Sequence, residues 1–222
     1  MTGVLELLLA DARTPSGGHA HSGGLEAAVA AGLEVCDIRA FMRARLLTVG
    51  RCEAAFAAAA CSCASVPGLL DLDGEWAART PAEPLRLASR SLGRGLLRTA
   101  SGWFGEAELL TGYRSESSLT PRPVALGVVA AAGGLGPQAA ARASLYDDAA
   151  TVAAAAVKLT ALDAAVASGW VLALAAEIES LARVLGRASG PSDGVALPST
   201  ATPSLDRRAM VHAKSDRRLF VS

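Results

Sequence analysis

Residues 138–159 and 162–187 form two alanine-dominated runs in which charge is confined to a few positions, among them Asp147, Asp148, Lys158 and Asp163. Alanine has the highest helix propensity, so both runs are expected as long helices. A helix that is apolar on most faces belongs at the centre of a bundle. No other stretch constrains the fold so tightly. The chain is 51% hydrophobic but only 4% aromatic, so its core must be assembled from small side chains that bring helix backbones close together. The expected fold is all-α, a single-domain helical bundle of roughly eight to ten helices with a flexible C-terminal tail. The bundle is expected over residues 1–188, a Gly/Pro/Ser linker over 189–203, and a C-terminal helix and tail over 204–222.

Charge excludes several classes of partner. Lys+Arg and Asp+Glu both number 21, so nothing in the overall electrostatics draws the chain to nucleic acid or an anionic membrane. The mean hydropathy of +0.34 raises the question of a membrane span. The longest uninterrupted apolar run, Ala164 to Ala176, is shorter than the roughly 20 residues a span requires and contains Ser168 and Gly169. The first ten residues place no Lys or Arg before their leucines and include Glu6, unlike a secretory signal. A soluble, cytoplasmic protein is expected. Cys36, Cys52, Cys61 and Cys63 are too few for a disulfide scaffold of this length and read as buried structural thiols.

Along the chain, short helices are expected over 4–10 and 25–31, followed by a long one from Ile38 to about Ala64, capped by Asp37 and stopped by Val66-Pro67-Gly68. A short acidic segment, 69–79, is anchored by Trp76. The helix expected over 82–99 carries Arg86, Arg90, Arg94 and Arg98 at every fourth position, opposite Leu85, Leu92 and Leu96. Like charges at that spacing repel. Either the stripe is neutralised by Asp71, Asp73, Glu106 and Glu108 from neighbouring segments, or it faces a partner, with Arg90 and Arg94 the candidate contact residues. Residues 102–123 read as loop, 124–132 as helix, and Gly133-Gly-Leu-Gly136 as an inter-helix turn with no phosphate-loop context. The charges within 138–187 either line a polar path or mark the surface edge.

One segment stands apart from this helical background. Pro15-Ser-Gly-Gly-His-Ala-His-Ser-Gly-Gly-Leu-Glu26 holds four glycines and two of the chain's three histidines. Such glycine density marks backbone that turns sharply or lies close against another surface. His19 and His21 beside Glu26 are weak candidates for a metal site. The chain carries no Gly-x-Ser-x-Gly, His-Glu-x-x-His or Walker sequence, and no nucleophile constellation. The alternative functional class is a small metal-binding protein or metal-dependent enzyme that uses His19, His21 and Glu26, with Cys61 or Cys63.

Three stretches carry a resemblance. Leu7-Leu-Leu-Ala-Asp-Ala-Arg-Thr-Pro-Ser-Gly-Gly-His-Ala-His-Ser-Gly-Gly-Leu-Glu26 resembles the N-terminal signature of the urease accessory protein UreF family. Leu87-Ala-Ser-Arg-Ser-Leu-Gly-Arg94 is similar to its central helix. Pro203-Ser-Leu-Asp-Arg-Arg-Ala-Met-Val-His-Ala-Lys-Ser-Asp-Arg-Arg-Leu-Phe-Val-Ser222 is similar to its C-terminal helix and Arg-Leu-Phe-x-Ser ending. The matches keep the family's order and span nearly the whole chain.

The resemblance implies an all-helical, non-enzymatic urease maturation factor, a scaffold or chaperone without a cofactor of its own. By the same resemblance it forms homodimers and bridges a UreD/UreH-type accessory protein to the nickel-carrying UreG-type GTPase, serving nickel insertion into apo-urease. The tail residues Arg217, Arg218, Leu219, Phe220 and Ser222 are then the expected partner contacts, ordered on the UreD-type protein. Pro15, Gly17, Gly18, His19, His21, Ser22, Gly24, Leu25 and Glu26 form the signature loop. Two departures stand out. His19 and His21 replace the family's usual aromatic pair, and the family's Gly-Gln segment after Lys158-Leu159 reads Thr-Ala-Leu-Asp-Ala-Ala here.

Overall fold

The computed structural model describes residues 2–11, 13–188, 197–200, 202–216 and 218–221. Among them are twelve α-helices and no strand, joined in one all-α bundle. Helices α4 (Arg51–Ser62), α8 (Arg122–Ala132) and α9 (Pro137–Thr160) form its centre. Small residues set their spacing. On α8, a Cβ at Gly127 would lie 2.3 Å from the Ala57 carbonyl oxygen of α4, so only glycine permits this approach. Ala54, Ala57, Ala58 and Ala60 on α4, and Ala140, Ala141, Ala155 and Ala156 on α9, are fully buried.

Two hydrophobic clusters flank this centre. One gathers α1 (Thr2–Leu9), α5 (Val66–Ala78), α6 (Glu83–Ser101) and α7 (Glu108–Glu116) around Phe56, Tyr113 and Trp76. The other gathers α2 (Leu25–Ala30), α3 (Ile38–Arg45), α10 (Ala164–Ala173) and α11 (Ala175–Arg187) around Met42, Leu145 and Ile178. Helix α12 (Pro203–His212) returns to pack on α2 and α6.

Several expectations are corrected. The run expected as one helix from Ile38 to Ala64 is broken by a π-helical turn, Leu46–Gly50. The Thr48 hydroxyl donates to the carbonyls of Ala44 and Arg45, and Gly50 rests against the Asp148 carboxylate, where a Cβ would sit 3.1 Å from Oδ2. Val66-Pro67-Gly68 begins a helix rather than only ending one, because the Ser65 hydroxyl caps the Gly68 N–H and proline suits a first turn. Residues 102–123 are not all loop. Helix α7 buries Leu110 and Tyr113 three residues apart, and the Tyr113 hydroxyl donates to Asp73 at 2.7 Å. That contact removes Asp73 from the arginine stripe, and among the described residues no ion pair reaches Arg86, Arg90, Arg94 or Arg98.

The run 162–187 is also divided. Asp163 caps α10 through the Ala165 N–H at 2.7 Å, and the chain bends by 44° between α10 and α11. Helix α10 does not lie at the centre. Only Ala167 is buried, while Val166 is half exposed and Leu172 is 75% exposed. The centre is already filled by α9, so the apolar character of α10 is turned outward. No single described helix is long and apolar enough to cross a membrane.

Candidate functional site

The signature loop is clasped between α6, which its backbone approaches directly, and side chains of α3 and α9. A Cβ at Gly95 of α6 would lie 2.6 Å from the Ser16 carbonyl oxygen, and the Thr99 hydroxyl donates to the Pro15 carbonyl at 3.0 Å. On the α9 side, a Cβ at Gly23 would meet Val152 Cγ2 at 2.9 Å and Arg45 Nε at 3.3 Å. Gly23 and Gly24 also take positive φ angles of 62° and 81°, the conformation in which glycine is least strained. Gly18–Ala20 forms one 3₁₀ turn, and the buried Ser22 hydroxyl accepts the Glu26 N–H at 3.3 Å as α2 begins. Leu25 is fully buried. The glycines thus let a loop lie where side chains would not fit, and they aim Glu26 at one defined place.

That place is the C-terminal tail. Glu26 Oε1 accepts the Leu219 N–H at 2.6 Å and Oε2 accepts the Phe220 N–H at 3.0 Å. His212 Nε2 of α12 lies 2.9 Å from the same Oε2. The Val221 N–H donates to the Ala20 carbonyl at 2.8 Å. Phe220 is 5% exposed, and the Lys158 ammonium sits 5.3 Å from its ring centroid while also donating to the His19 carbonyl at 3.4 Å. Leu219 and Val221 alternate outward at 63% and 59% exposure. Burial alone would raise the Glu26 pKa. The two tail N–H groups and His212 outweigh it, so the carboxyl titrates below its ordinary value. Where the sequence suggested a free tail, residues 218–221 are seated on the loop.

Behind the loop lies a cavity of about 130 Å³. Its walls carry Arg45, Arg122, Glu53, Asp147, Asp148 and His21. Arg45 grips Asp148 Oδ1 through Nη2 at 2.7 Å and Nε at 2.9 Å, and Arg122 Nη2 meets Asp147 Oδ2 at 3.0 Å. Among the described residues no ion pair reaches Glu53. Burial pushes its carboxyl up to about 7, with Arg45 opposing and Asp148 adding to the rise. His21 is driven the other way, down to about 4, by burial, by the Arg122 guanidinium and by His19. It is therefore a neutral imidazole at neutral pH.

Sequence reasoning placed some of these groups and missed others. Glu26, Leu219 and Phe220 were candidates separately, and the fold brings them together. Arg218 is exposed beside them, whereas Arg217 and Ser222 lie outside the described residues. Arg94 is exposed on α6 and Arg90 is half-buried. His19 is exposed and His21 faces the cavity, so the two do not act as a pair. Among the described residues no three His, Cys, Asp or Glu side chains converge to hold a metal ion. Glu26 is engaged by the tail, and the Cys61 and Cys63 thiols donate to the carbonyls of Leu135 and Ser65. Asp147 and Asp148 line the polar interior, one of the two alternatives the sequence left open. Arg45, Glu53 and His212 were not anticipated as site residues, whereas Lys158 was among the charges expected either along a polar path or at the surface edge. For Glu53 and Lys158 the one signal available was charge within an alanine-rich helix.

Comparison with known proteins identifies the family. The UreF family model matches residues 35–175. The urease accessory protein UreF of Mycolicibacterium vanbaalenii is 36% identical over 220 residues, covering 97% of each chain. Those of Mycobacterium bovis and Mycobacterium tuberculosis are 37% identical over 234 aligned positions, covering all of each chain. The two full-length alignments extend through both the loop and the tail that the family model leaves out. The chain therefore belongs to the UreF family of urease accessory proteins.

Proposed function

We propose that this chain is a non-catalytic scaffold of urease maturation that joins a UreD/UreH-type accessory protein to a nickel-carrying UreG-type GTPase in the cytoplasm. Nickel is cargo in this scheme, delivered into apo-urease by the assembled complex. The observation that carries the proposal is the meeting of loop and tail at Glu26, which builds one surface from two segments far apart in sequence. Exposed Leu219, Val221 and Arg218 on that surface supply apolar anchors and a guanidinium, residue types that suit a protein interface. The apolar outward side of α10, with Val166 and Leu172, suits a second copy of the chain and hence a homodimer.

Removal of residues 217–222 tests the proposal. The truncated protein is expected to keep its helical circular dichroism and its dimeric mass while losing capture by the UreD-type partner. Normal capture by that partner would overturn the role of the tail.

A further inference from the structure

Helix α6 presents a second charged surface that the loop–tail assembly does not use. Its outward line runs through Leu87, Ser91, Arg94 and Arg98, all exposed, with Leu87 at 56%. Arg86 is spent locally, its Nη1 donating to the carbonyls of Thr80 and Pro81 at 2.8 and 2.7 Å. Arg90 is half-buried, and its Nε is buried with no hydrogen-bond partner among the described residues. Arg94 and Arg98 make no ion pair or hydrogen bond among the described residues. At the far end of the helix, Arg114 Nη1 reaches Ser101 Oγ at 2.9 Å. Ser101 is three residues beyond Arg98, so a further guanidinium comes to the same side. Trp103 follows, 39% exposed and held edge-on against Phe104 with ring centroids 6.3 Å apart.

The fold stacks these cations in mutual repulsion although the chain as a whole is neutral. The acids that would have cancelled them face elsewhere: Asp73 is buried against Tyr113, and Glu106 and Glu108 are exposed without reaching the stripe. From Leu87 to Ser101, where Arg114 joins, the face is about 21 Å long, the length of one short helix of a partner. Leu87 and Trp103 bracket it with apolar anchors. Exposed Glu83, Glu106 and Glu108 at its two ends would repel a continuous phosphate backbone or an anionic bilayer, which extend past so short a stripe.

We propose that the Arg94–Arg98–Arg114 face of α6, with Trp103 and Leu87 at its ends, docks an acidic helical segment of a partner protein, separately from the loop–tail surface. The surface requires a partner with carboxylates spaced along one face and an apolar recess for Trp103.

The test uses the full chain and a double variant, Arg94→Glu/Arg98→Glu, with Arg94→Gln/Arg98→Gln as a second pair should charge reversal lower the melting temperature. Binding is measured first to fluorescent poly-L-glutamate, a probe independent of the urease partners, then to purified UreD-type and UreG-type proteins, at 50 and 300 mM salt. The expected result is at least a tenfold loss of affinity for poly-L-glutamate and for one of the two proteins, a steeper salt dependence in the wild type, and unchanged tail-dependent capture. Trp103→Ala should weaken the protein complex and leave poly-L-glutamate binding in place. Affinity for poly-L-glutamate unchanged by either double variant would overturn the proposal. So would arginine-dependent binding, tighter than to poly-L-glutamate, of a 20-base-pair DNA duplex or phosphatidylserine vesicles. If the wild type binds the acidic probe through these arginines but neither urease protein, the scaffold role fails and the acidic-segment surface stands.

Discussion

Glu53 offers the sharpest test of how the cavity is built. Its carboxyl has an ordinary pKa of 4.5 and is pushed up to about 7, chiefly by burial; the Arg45 and Arg122 guanidiniums oppose the rise, but their own ion-pair partners Asp148 and Asp147 add to it. A folded-state value above the unfolded one means that the unfolded chain ionises first. The native state then loses stability as pH rises from 4.5 toward 7 and stays penalised above that. At about 1.4 kcal/mol per pH unit, the full penalty is about 3 kcal/mol, most of which develops between pH 5 and pH 8. Glu53→Gln keeps the size and hydrogen-bonding capacity of the side chain and removes the titration. Its stability relative to wild type should therefore rise by about 2 to 3 kcal/mol from pH 5 to pH 8. With a urea m-value of about 2 to 3 kcal/mol/M, that is a midpoint displacement of about 1 M.

Parallel urea titrations of both proteins at the two pH values give the answer, and comparing the pair cancels every titrating group distant from position 53. Any fixed cost of placing an amide in the cavity appears equally at both pH values and drops out of the difference. A difference that does not change with pH, or that falls as pH rises, would refute the claim that Glu53 is a neutral acid in the native cavity near pH 6.

Other outcomes follow from the same contacts. Glu26→Ala should free the tail, seen as at least a tenfold faster hydrogen exchange at the Phe220 and Val221 amides, since two charge-assisted bonds worth about 1.5–3 kcal/mol each are removed. In the wild type the same release should occur only in acid, because a depressed Glu26 pKa gives stability present above 4.5 and lost as pH falls through the lower folded value. His21→Phe should gain stability relative to wild type as pH falls from 6.5 toward 4, because the buried imidazole resists protonation over that range. Gly95→Ala should lower the melting temperature by several degrees and loosen the loop, because its methyl group would stand 2.6 Å from the Ser16 carbonyl. Arg45→Met should destabilise by about 3–5 kcal/mol by leaving Asp148 without its cation, and Asp148→Asn in that background should recover part of the loss.

The helical class was readable because alanine content and the shortage of aromatics act locally, residue by residue. Helix α9 illustrates this, lying close to where its composition placed it. What composition could not reveal was which apolar helix wins the centre. Helices α9 and α10 are both alanine-rich, yet α9 is buried along its length and α10 exposes Leu172, because only one of them fits against α4 and α8. Helix α7 was missed because its glycine and serines read as loop, whereas Leu110 and Tyr113, three apart, hold it in the core. The site divides in the same way. Glycine density exposed the loop, since close packing of backbone leaves a compositional mark. The pairing of Glu26 with residues 212, 219 and 220 left none, because a carboxylate's partners nearly two hundred positions away are chosen by the fold.

The contacts also dictate what a partner of the tail must supply. Lifting residues 219–221 away takes two N–H donors from Glu26 and the Phe220 ring from beneath Lys158, leaving a partly buried carboxylate with His212 alone. A partner that binds the tail in place, over exposed Leu219 and Val221, avoids that desolvated charge and gains a preordered surface. A partner that extracts the tail must instead supply acceptors for the freed N–H groups, and the loop it leaves behind is no longer pinned by the tail through Ala20. Gly23 lies against the Arg45 guanidinium, so movement of the loop reaches the Arg45–Asp148 pair and the cavity behind it. The two modes separate experimentally. In-place binding leaves the cavity's titration unchanged, whereas extraction shifts the Glu53 pKa, read by carboxyl NMR of the complex, in step with hydrogen exchange at Phe220.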